Sequence, residues 1–363
     1  MSKIRVGVLF GGQSAEHEIS LISAKNVVQA MDREKYDVVL IGIDKQGIWH
    51  VQNEHGYLCH ESDPRKIRLD RGENLLALVP TAHRKELRRY TDSTMQSALE
   101  IDVIFPVLHG PMGEDGTVQG LLKLANIPFV GAGVLGSAVG MDKDVMKRLL
   151  REAGIPVGKF LALHRRHKSH IDIDQIISSL GLPLFVKPAN LGSSVGISKV
   201  KHRDALWAAL DKAFQYDRKI LVEEAIVGRE IECSVLGNED PVASLPGELI
   251  CQHEFYSYEA KYLDENGAHF CIPAELPKET ILKIQQMACH AYRVLCVEGM
   301  ARVDFFLKES GEILINEINT IPGFTSISMY PKMWEASGLK CADLIDQLIQ
   351  LALDRHDQEM QGR

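Results

Sequence analysis

The residues best suited to chemistry lie in EILINEINTIPGFT, residues 312–325, where an acid and an amide interrupt an apolar run. Because successive side chains of a strand alternate between faces, the sequence predicts that Ile313, Ile315, Glu317 and Asn319 share one face. Two apolar positions would then lead into two oxygen donors. This pattern indicates a polar site at the end of a buried strand.

The preceding residues extend this segment into a predicted hairpin, GMARVDFFLKESGEILINEIN, residues 299–319. A loop centred on its Ser-Gly step places Asp304 opposite Glu317 and Arg302 opposite Asn319. Opposed carboxylates repel each other, so the pairing favours a cation between them. Mg²⁺ suits such oxygen donors best. The alternative is an exposed antiparallel face whose polar residues meet water.

Composition narrows the class of protein. A chain of 363 residues is too long for one compact core, so we expect two or three domains. The net charge of -8 argues against nucleic-acid or anionic-membrane partners. The N-terminal apolar run VGVLF is too short for a signal or a membrane span, and seven cysteines without a CxxC pair fit reduced thiols. We therefore expect a cytoplasmic protein.

The first part of the chain reads as an α/β domain, residues 1–139. The stretch KIRVGVLFGGQSAEHEISLISAKNVVQAM predicts a strand, a glycine turn and a helix, and YDVVLIGID predicts the next strand. This β-α-β unit implies a parallel sheet. DVIFPVLHG and PFVGAG are predicted as further buried strands. The charged region 50–100 predicts loops, short strands and a helix near TMQSALE.

The rest of the chain reads as two α+β units. In residues 140–225, a helix in MDKDVMKRLLREAGIPVG precedes LPLFVKPANLGSSVGISKV, which predicts a strand, a glycine-rich loop and a second strand. Residues 226–363 contain REIECSVLG, the helix ETILKIQQMACHAYRVLCV, the hairpin and an amphipathic C-terminal helix. The predicted fold class is thus α/β and α+β.

Two glycine motifs could bind phosphate. GAGVLG, residues 131–136, matches the dinucleotide fingerprint. The acid that should follow about 20 residues later is replaced by the basic stretch KFLALHRRHK, so an NADP-dependent oxidoreductase stays open as an alternative. A Walker A motif is absent from the sequence.

The second motif, VKPANLGSSVG, is the better phosphate site. Lys187 leaves a strand, and the main-chain N–H groups and hydroxyls around Ser193 and Ser194 could close over a polyphosphate. Lys143, at the start of a predicted helix, is a second candidate cation. A solvated surface charge is the alternative for any single lysine.

Three acids follow this loop in LVEEAIVGRE. Glu223 and Glu224 end a predicted strand, and Glu230 lies beyond a glycine turn. These positions suit contacts with an adenine amino group and ribose hydroxyls.

The whole chain resembles the ATP-grasp ligases, and specifically the D-alanine:D-alanine ligase family. The resemblance is carried, in order, by GGQSAEHEIS, HGPMGEDG, GMDK, VKPANLGSSVGISKV, YEAKY, ARVDF and NEINTIPGFTSIS. It implies a three-domain ATP-grasp fold with a Rossmann-like N-terminal domain. It also implies an activity: ATP phosphorylates one D-alanine, and the amine of a second attacks the acyl phosphate.

The resemblance assigns roles at the hairpin. Asp304, Glu317 and Asn319 would hold two divalent cations, Mg²⁺ or Mn²⁺, at the ATP phosphates. Arg302 and Gly323 would form an oxyanion hole for the tetrahedral intermediate.

It also assigns binding residues elsewhere. The ATP set is Lys143, Lys187, Ser193, Ser194, Glu223, Glu224, Ile226 and Glu230. For the substrates, Glu16 would receive the ammonium of the first D-alanine, and Ser328 with Lys261 would meet the carboxylate of the second. His109 would lie in the same cleft, and Ser193 and Tyr262 would join Glu16 in a hydrogen-bonded bridge. A helix N-terminal charge is the alternative role for Glu16.

The aromatic stretch HEFYSYEAKYLDENGAHF, residues 253–270, predicts a lid that excludes water; an adhesive surface loop is the alternative. Relatives that join D-alanine to D-lactate carry a different lid sequence, so the resemblance implies that the Lys261-Tyr262 pair favours an amine nucleophile and a dipeptide product. The resemblance also implies a homodimer. Other hypotheses are a different ATP-grasp ligase, the NADP oxidoreductase and a non-catalytic nucleotide-binding regulator.

Overall fold

The structure is a computed structural model. It describes residues 3–54, 56–59, 67–70, 74–78, 86–91, 94–193, 195–251 and 268–362.

The first sheet has seven strands in the order β8-β7-β6-β3-β2-β1-β9. Strand β1, next to the edge strand β9, pairs in parallel with β2 and β9, as the β-α-β pattern predicts. The pairs from β2 and β3 outward to β8 are antiparallel. A separate two-stranded sheet joins β4 to β5. The strands are β1 (Ile4–Gly11), β2 (Tyr36–Ile43), β3 (Trp49–Gln52), β4 (Leu58–Cys59), β5 (Arg68–Leu69), β6 (Asn74–Leu78), β7 (Glu86–Thr91), β8 (Thr94–Glu100) and β9 (Val103–Val107).

Two predictions for this region are wrong. TMQSALE forms strand β8 and not a helix, because it pairs with β7 at the edge of the sheet, and that pairing outweighs its local helix preference. PFVGAG forms no full strand: Phe129 makes one parallel bridge to Ile104 at the end of the sheet.

Helices cover the first sheet and lead into the second unit. They are α1 (His17–Ala30), α2 (Thr117–Leu124), α3 (Val134–Met141) and α4 (Lys143–Glu152). Helix α4 begins at a capped end, where the Asp142 carboxylate accepts from the N–H groups of Asp144 and Val145. This cap fixes the first turn of the helix that carries Lys143.

The second sheet is antiparallel, with strand order β10-β13-β11-β12. Helices α5 and α6 pack on it through a separate apolar core that includes Ile176, Leu210 and Phe214. The glycine-rich loop connects β11 to β12, as predicted. The elements are β10 (Phe160–His164), α5 (Ile173–Leu180), β11 (Leu184–Pro188), β12 (Ser198–Val200), α6 (Leu206–Tyr216) and β13 (Lys219–Glu224), with 3₁₀ turns at Arg165–His170 and Arg203–Ala205.

The third sheet follows the order β17-β16-β14-β18-β19, and β15 also pairs with β14. Odd-numbered residues of β18, such as Val303 and Phe305, face a core under helix α7, so the even-numbered residues face away from that core. The elements are β14 (Arg229–Gly237), β15 (Val242–Ala243), β16 (Gly247–Cys251), β17 (Ala268–Cys271), α7 (Lys278–Val294), β18 (Gly299–Leu307), β19 (Ile313–Asn319), α8 (Met329–Ala336) and α9 (Cys341–Gln361).

The C-terminal helix α9 returns to the N-terminal sheet. Its Leu344 and Leu348 belong to the same core as Val8 and Phe105, and this core also includes Tyr330 of α8. The three main sheets use strands from 4–107, 160–224 and 229–319; the domain boundaries at 139 and 225 stay predictions. Among the residues described, no helix is both long and apolar enough to cross a membrane.

Candidate active site

Three acids lie side by side across β14, β18 and β19. Glu232 is opposite Asp304, and Asp304 is opposite Glu317. Arg302 is opposite Asn319 in the neighbouring row. The two pairs predicted for the hairpin are therefore confirmed, and all three acids line one cleft.

The predicted alternation along β19 is wrong for its first half. Ile313 and Ile315 pack into the core beneath the sheet, whereas Asn316 and Glu317 both line the cleft. The pairing shifts by one residue after Asp304, so Asn316 is the extra residue of a β-bulge. The strand pairs near the hairpin tip are offset by one residue from the predicted register, and the bulge restores the predicted pairs at the cleft.

Arg302 holds the acids of β14 and β18 together. Its Nε and a terminal nitrogen each donate to Asp304 at 2.7 Å, and its Nε lies 3.0 Å from Glu232 Oε2. Burial opposes the charge, but Asp304 and Glu232 outweigh it and keep the pKa of Arg302 well above its ordinary value. Sequence analysis missed Glu232, although its position two residues after Glu230 on a strand indicated the same face.

The oxygen donors of the two neighbouring cross-strand pairs suit a hard divalent cation. Asp304 and Glu317 supply carboxylate oxygens and Asn319 an amide oxygen, which are the ligand types that Mg²⁺ and Mn²⁺ take. Asn319 Nδ2 donates to Asp304 at 3.0 Å. Within the described ranges no cluster of three or more His, Cys, Asp or Glu side chains could hold a metal. Cation binding here would therefore depend on the amide and on oxygens of a bound ligand.

Three lysines surround the cleft opposite this row. Lys143 Nζ lies 3.5 Å from Glu317 Oε2 and donates to the carbonyl of Leu191 in the glycine-rich loop at 2.8 Å. Lys143 thus connects helix α4 to both the hairpin and the loop, as a ligand for phosphate between them would require.

The other two lysines share one acid. Lys187 Nζ lies 2.6 Å from Glu223 Oε2, and Lys147 Nζ lies 3.3 Å from Glu223 Oε1. Burial lowers the pKa of Lys147. Burial also opposes ionisation of Glu223, but the two lysines together lower its pKa. Sequence analysis missed Lys147, which lies four residues after Lys143 and so on the same face of α4.

The cleft has an apolar end suited to a planar base. The whole cleft has a volume of about 370 Å³. Its apolar residues include Phe185, Ile226, Leu249 and Phe306, and Glu230 lines it with them.

Glu224 also lines this end. Its side chain accepts from the N–H of Lys159 at 2.8 Å, so part of its hydrogen-bonding capacity is used inside the protein.

Glu16 faces the glycine-rich loop from the N-terminal part of the chain. The hydroxyl of Ser193 donates to Glu16 Oε1, and Glu16 is buried. A Cβ on Gly192 would lie 2.7 Å from Glu16 Oε2, so glycine lets the loop approach without displacing the Glu16 carboxylate. This contact confirms the predicted pairing of Glu16 with Ser193.

Glu114 is a second acid in this region that sequence analysis did not assign. Its Oε2 accepts from the N–H of Gly110 at 2.7 Å, and its Oε1 accepts from the N–H of Ile321 at 3.3 Å. Burial, with a smaller contribution from Glu16, raises its pKa to about 8. The sequence feature that could have identified Glu114 was its place in the motif HGPMGEDG.

The turn after β19 brings the remaining predicted residues to the cleft. Gly323 and Ser328 both line it, and a Cβ on Gly323 would lie 2.8 Å from Ser328 Oγ. Ser328 Oγ accepts from the N–H of Thr325 at 2.9 Å. The chain therefore folds back so that the Gly323 main chain and the Ser328 hydroxyl lie together.

His109 is buried beside this turn. Its Nδ1 donates to the carbonyl of Ile321 at 3.0 Å, and its Nε2 lies 3.4 Å from Ser23 Oγ. Burial lowers its pKa, so the ring is neutral near pH 7. Both ring nitrogens contact protein groups, and substrate binding by His109 stays a prediction.

Ser194, Lys261 and Tyr262 lie outside the described residues, as does most of the predicted lid. Their predicted roles stay predictions.

The competing motif GAGVLG is used for packing. A Cβ on Gly136 would lie 2.4 Å from the carbonyl oxygen of Cys296, and Gly131 packs against Gly299. Among the described residues that line the cleft, none belongs to this motif. Close approach of the main chain therefore explains these glycines without a dinucleotide.

The sheets, the glycine-rich loop and the lysine–carboxylate cleft together define an ATP-grasp ligase. Two family models match the chain: the D-ala D-ala ligase N-terminus over residues 5–132 and the D-ala D-ala ligase C-terminus over residues 149–350. The chain belongs to the D-ala D-ala ligase family.

Curated relatives match over nearly the full length. The "D-alanine--D-alanine ligase" of Oceanobacillus iheyensis is 54% identical over 99% of this chain and 98% of its own. The "D-alanine--D-alanine ligase A" of Escherichia coli strain K12 is 53% identical over 98% of this chain and 97% of its own.

Solved structures are similar to this chain over nearly its full length. The D-alanine-D-alanine ligase of Coxiella burnetii superposes with a TM-score of 0.84 at 42% identity, covering 99% of this chain and 97% of that one. The VanG D-Ala:D-Ser ligase of Enterococcus faecalis gives 0.83 at 36% identity, covering 97% of this chain and 100% of that one. The protein is thus a ligase, and its family uses ATP and a divalent metal.

Proposed function

We propose that this ligase joins two molecules of D-alanine into D-alanyl-D-alanine for peptidoglycan synthesis, with ATP as the energy source. One observation supports this most strongly. The acids of β18 and β19, the lysines of α4 and β11, and the Glu16–Ser193 pair converge on a single cleft. Such a cleft can bind the triphosphate of ATP and an amino acid side by side.

In the proposed reaction the base of ATP occupies the apolar end near Phe185 and Ile226. Lys143 and Lys187 then face its phosphates, and Glu223 lies within reach of the adenine amino group. Because both lysines are already held by protein oxygens, their positions are set before ATP binds. Preorganised cations of this kind lower the barrier because little reorganisation is needed during transfer.

Asp304, Glu317 and Asn319 would hold two Mg²⁺ or Mn²⁺ ions. When bound, the ions neutralise phosphate charge and orient the transferred group. Asp304 binds Arg302 through both oxygens in the present geometry. We therefore expect Glu232, on the other side of Arg302, to keep the guanidinium in the cleft when Asp304 takes a metal.

Glu16 would bind the ammonium of the first D-alanine, whose carboxylate takes the γ-phosphoryl group of ATP to form the acyl phosphate and release ADP. The amine of the second D-alanine attacks the acyl carbon, and phosphate leaves as the amide bond forms. Arg302 and the N–H of Gly323 would stabilise the oxyanion of the tetrahedral intermediate. Ser328, with Lys261, would bind the carboxylate of the second D-alanine.

The reaction would take place in the cytoplasm, where ATP is available, and the enzyme would be a homodimer. Sedimentation equilibrium at micromolar concentrations tests the subunit number.

The test of the proposed function is release of phosphate from Mg-ATP that requires D-alanine and does not occur with L-alanine, with the dipeptide identified by mass spectrometry. Glu317→Gln should lower turnover by more than about a hundredfold, because a metal ligand contributes several kcal/mol to the barrier. Mn²⁺ binding with ADP, measured by electron paramagnetic resonance, should weaken in the same variant.

Asn316→Ala is a matched control, since Asn316 is the neighbouring cleft residue in the bulge and is not a proposed ligand. Normal turnover and normal Mn²⁺ binding in Glu317→Gln would remove Glu317 from the metal site. Phosphate release that ignores D-alanine would reject the proposed function.

A second candidate substrate is favoured by one comparison. The VanG structure is a D-Ala:D-Ser ligase, so D-serine could serve as the second amine here. Product ratios from mixtures of D-alanine with D-serine or D-lactate distinguish the cases. Predominant D-alanyl-D-alanine supports the first proposal.

A further inference from the structure

The turn that carries Gly323 is held by side chains from a distant part of the chain. The peptide groups of Ile321 make two such contacts: its N–H donates to Glu114 Oε1 at 3.3 Å, and its carbonyl accepts from His109 Nδ1 at 3.0 Å. Glu114 and His109 both precede α2. Both polar groups of this residue are thus bound by the N-terminal part of the protein.

Phe324, on the other side of Gly323, is held in the same way by helix α1. Its N–H donates to Ser23 Oγ at 3.2 Å, and its carbonyl accepts from Asn26 Nδ2 at 2.9 Å. Ser23 is fully buried. The residues before and after the Pro322-Gly323 step are therefore both fixed by side chains that approach from outside the third sheet.

The contacts of His109 and Ser23 join the two halves of this arrangement. His109 must carry a proton on Nδ1 to donate to the Ile321 carbonyl, so the Nε2 of the neutral ring can accept the hydroxyl proton of Ser23, 3.4 Å away. The Ser23 oxygen then accepts from Phe324. Each donor in this chain faces an acceptor, which fixes one tautomer of the ring.

Gly323 has little freedom within this frame. Pro322 fixes the φ angle of the residue before Gly323, and Ser328 Oγ lies close to the Gly323 main chain, so that a Cβ added there would be 2.8 Å from it. The direction of the Gly323 N–H is therefore set by the anchored peptides of Ile321 and Phe324. An oxyanion donor must be placed within a few tenths of an ångström to be effective.

We propose that Ser23 and Asn26 are positioning residues that, with His109 and Glu114, aim the Gly323 N–H at the developing oxyanion. These four side chains form the turn clamp. The inference rests on the proposed function for its catalytic part, but the clamp itself is a structural arrangement.

The test uses Asn26→Asp and Ser23→Ala in the full-length enzyme, with Gln29→Ala as a control on the exposed face of the same helix. Asn26→Asp keeps the side-chain shape and removes the donor to the Phe324 carbonyl. We expect kcat to fall roughly 10- to 100-fold, while the KM for ATP changes less than about twofold. Affinity for a phosphinate mimic of the tetrahedral intermediate should fall in proportion to kcat.

Hydrogen exchange of residues 320–327, followed by mass spectrometry without substrates, tests the clamp independently of turnover. Within the described residues the Asn26 side chain donates to a carbonyl and accepts from no amide of this turn, so faster amide exchange in Asn26→Asp reports movement of the turn and not simple loss of an N–H acceptor. Gln29→Ala should exchange and turn over as the parent protein does. If Asn26→Asp does not fold, Ser23→Ala provides the same comparison of kcat and KM.

Unchanged exchange in a folded Asn26→Asp variant overturns the clamp. Faster exchange with an unchanged kcat overturns its positioning role. If the parent enzyme releases no phosphate with D-alanine, the proposed function fails, and the exchange data still decide whether the clamp exists.

Discussion

Individual side chains at the cleft are arranged so that almost every charge already has a partner in the protein. Arg302 lies between Glu232 and Asp304, and Lys143 lies beside Glu317. Burying such charges singly would be unfavourable by several kcal/mol per ion. The internal partners therefore stabilise the site when no ligand is bound, and a ligand can bind by replacing them.

Glu114 departs from this arrangement, and a pH-dependent prediction follows. Its pKa is raised to about 8 by burial and by Glu16, against the opposing effects of Lys143 and of N–H donation from Gly110 and Ile321. Glu114 is therefore largely protonated near pH 7 in the free enzyme. An ammonium bound at Glu16 should favour the ionised form, so D-alanine binding should release up to about one proton.

Calorimetric titration with D-alanine near pH 7 in buffers of different ionisation enthalpy measures this proton release. The release should vanish in Glu114→Gln and should shrink as the pH rises above 8, where Glu114 is already ionised. Equal proton release by the parent protein and Glu114→Gln would show that another group titrates.

At the scale of elements, the start of helix α4 positions a lysine. Asp142 accepts from two N–H groups of the first turn, at 3.2 and 3.1 Å, and also binds Lys219 Nζ at 2.7 Å. The residue after this cap is Lys143, which contacts both the glycine-rich loop and Glu317. The helix start therefore controls how well the lysine is aimed.

Asp142→Ala should lower the free energy of unfolding by about 1–2 kcal/mol through loss of the cap and should raise the KM for ATP severalfold. Asp172→Ala is the matched control, because Asp172 caps α5 through the N–H groups of Asp174 and Gln175 at 2.9 and 3.1 Å. It should lose similar stability in thermal melts with an unchanged KM. If the KM for ATP rises in both variants, the effect comes from general destabilisation of the fold and not from the position of Lys143.

The strand elements show how a local irregularity changes which residues reach the site. Asn316 adds a cleft-facing residue to β19 through the bulge, and the isoleucines before it belong to the core. A bulge changes the local twist and re-aims side chains. Glu317 and Asn319 face the cleft because the bulge shifts the alternation of side chains by one residue, while Ile318 between them still packs into the core.

At the scale of the whole molecule, the C-terminal helix α9 ties the N-terminal sheet to the third one. Arg355 on this helix is buried and donates to the carbonyls of Gly131 at 2.6 Å and Phe129 at 2.7 Å. Its guanidinium also lies 4.7 Å from the Phe129 ring centroid. One side chain thus satisfies main-chain carbonyls where residues 129–131 pack against the start of β18.

Arg355→Met should lower the free energy of unfolding by about 2–4 kcal/mol, because buried carbonyls lose a charged donor. Lys123→Met removes the exposed ion pair that Lys123 makes with Glu359 on the same helix at 2.9 Å and should cost less than about 1 kcal/mol. Urea unfolding followed by circular dichroism compares the two. Equal losses would mean that the Arg355 contacts contribute little.

The sequence by itself determined the parallel N-terminal unit, the glycine-rich loop and the pairing of Asp304 with Glu317, because residue type, periodicity and turn chemistry act over short stretches of chain. It also identified the family through motifs in a fixed order. Only the tertiary structure decided that TMQSALE is a strand, since its partner β7 supplies the hydrogen bonds.

The tertiary structure also decided the bulge at Asn316, the sharing of Glu223 by Lys147 and Lys187, and the contacts of Ser23 and Asn26 with the Phe324 peptide groups. Ser23 and Phe324 are separated by 301 positions. Such contacts depend on how elements far apart in the sequence pack together, and no local sequence pattern predicts that packing.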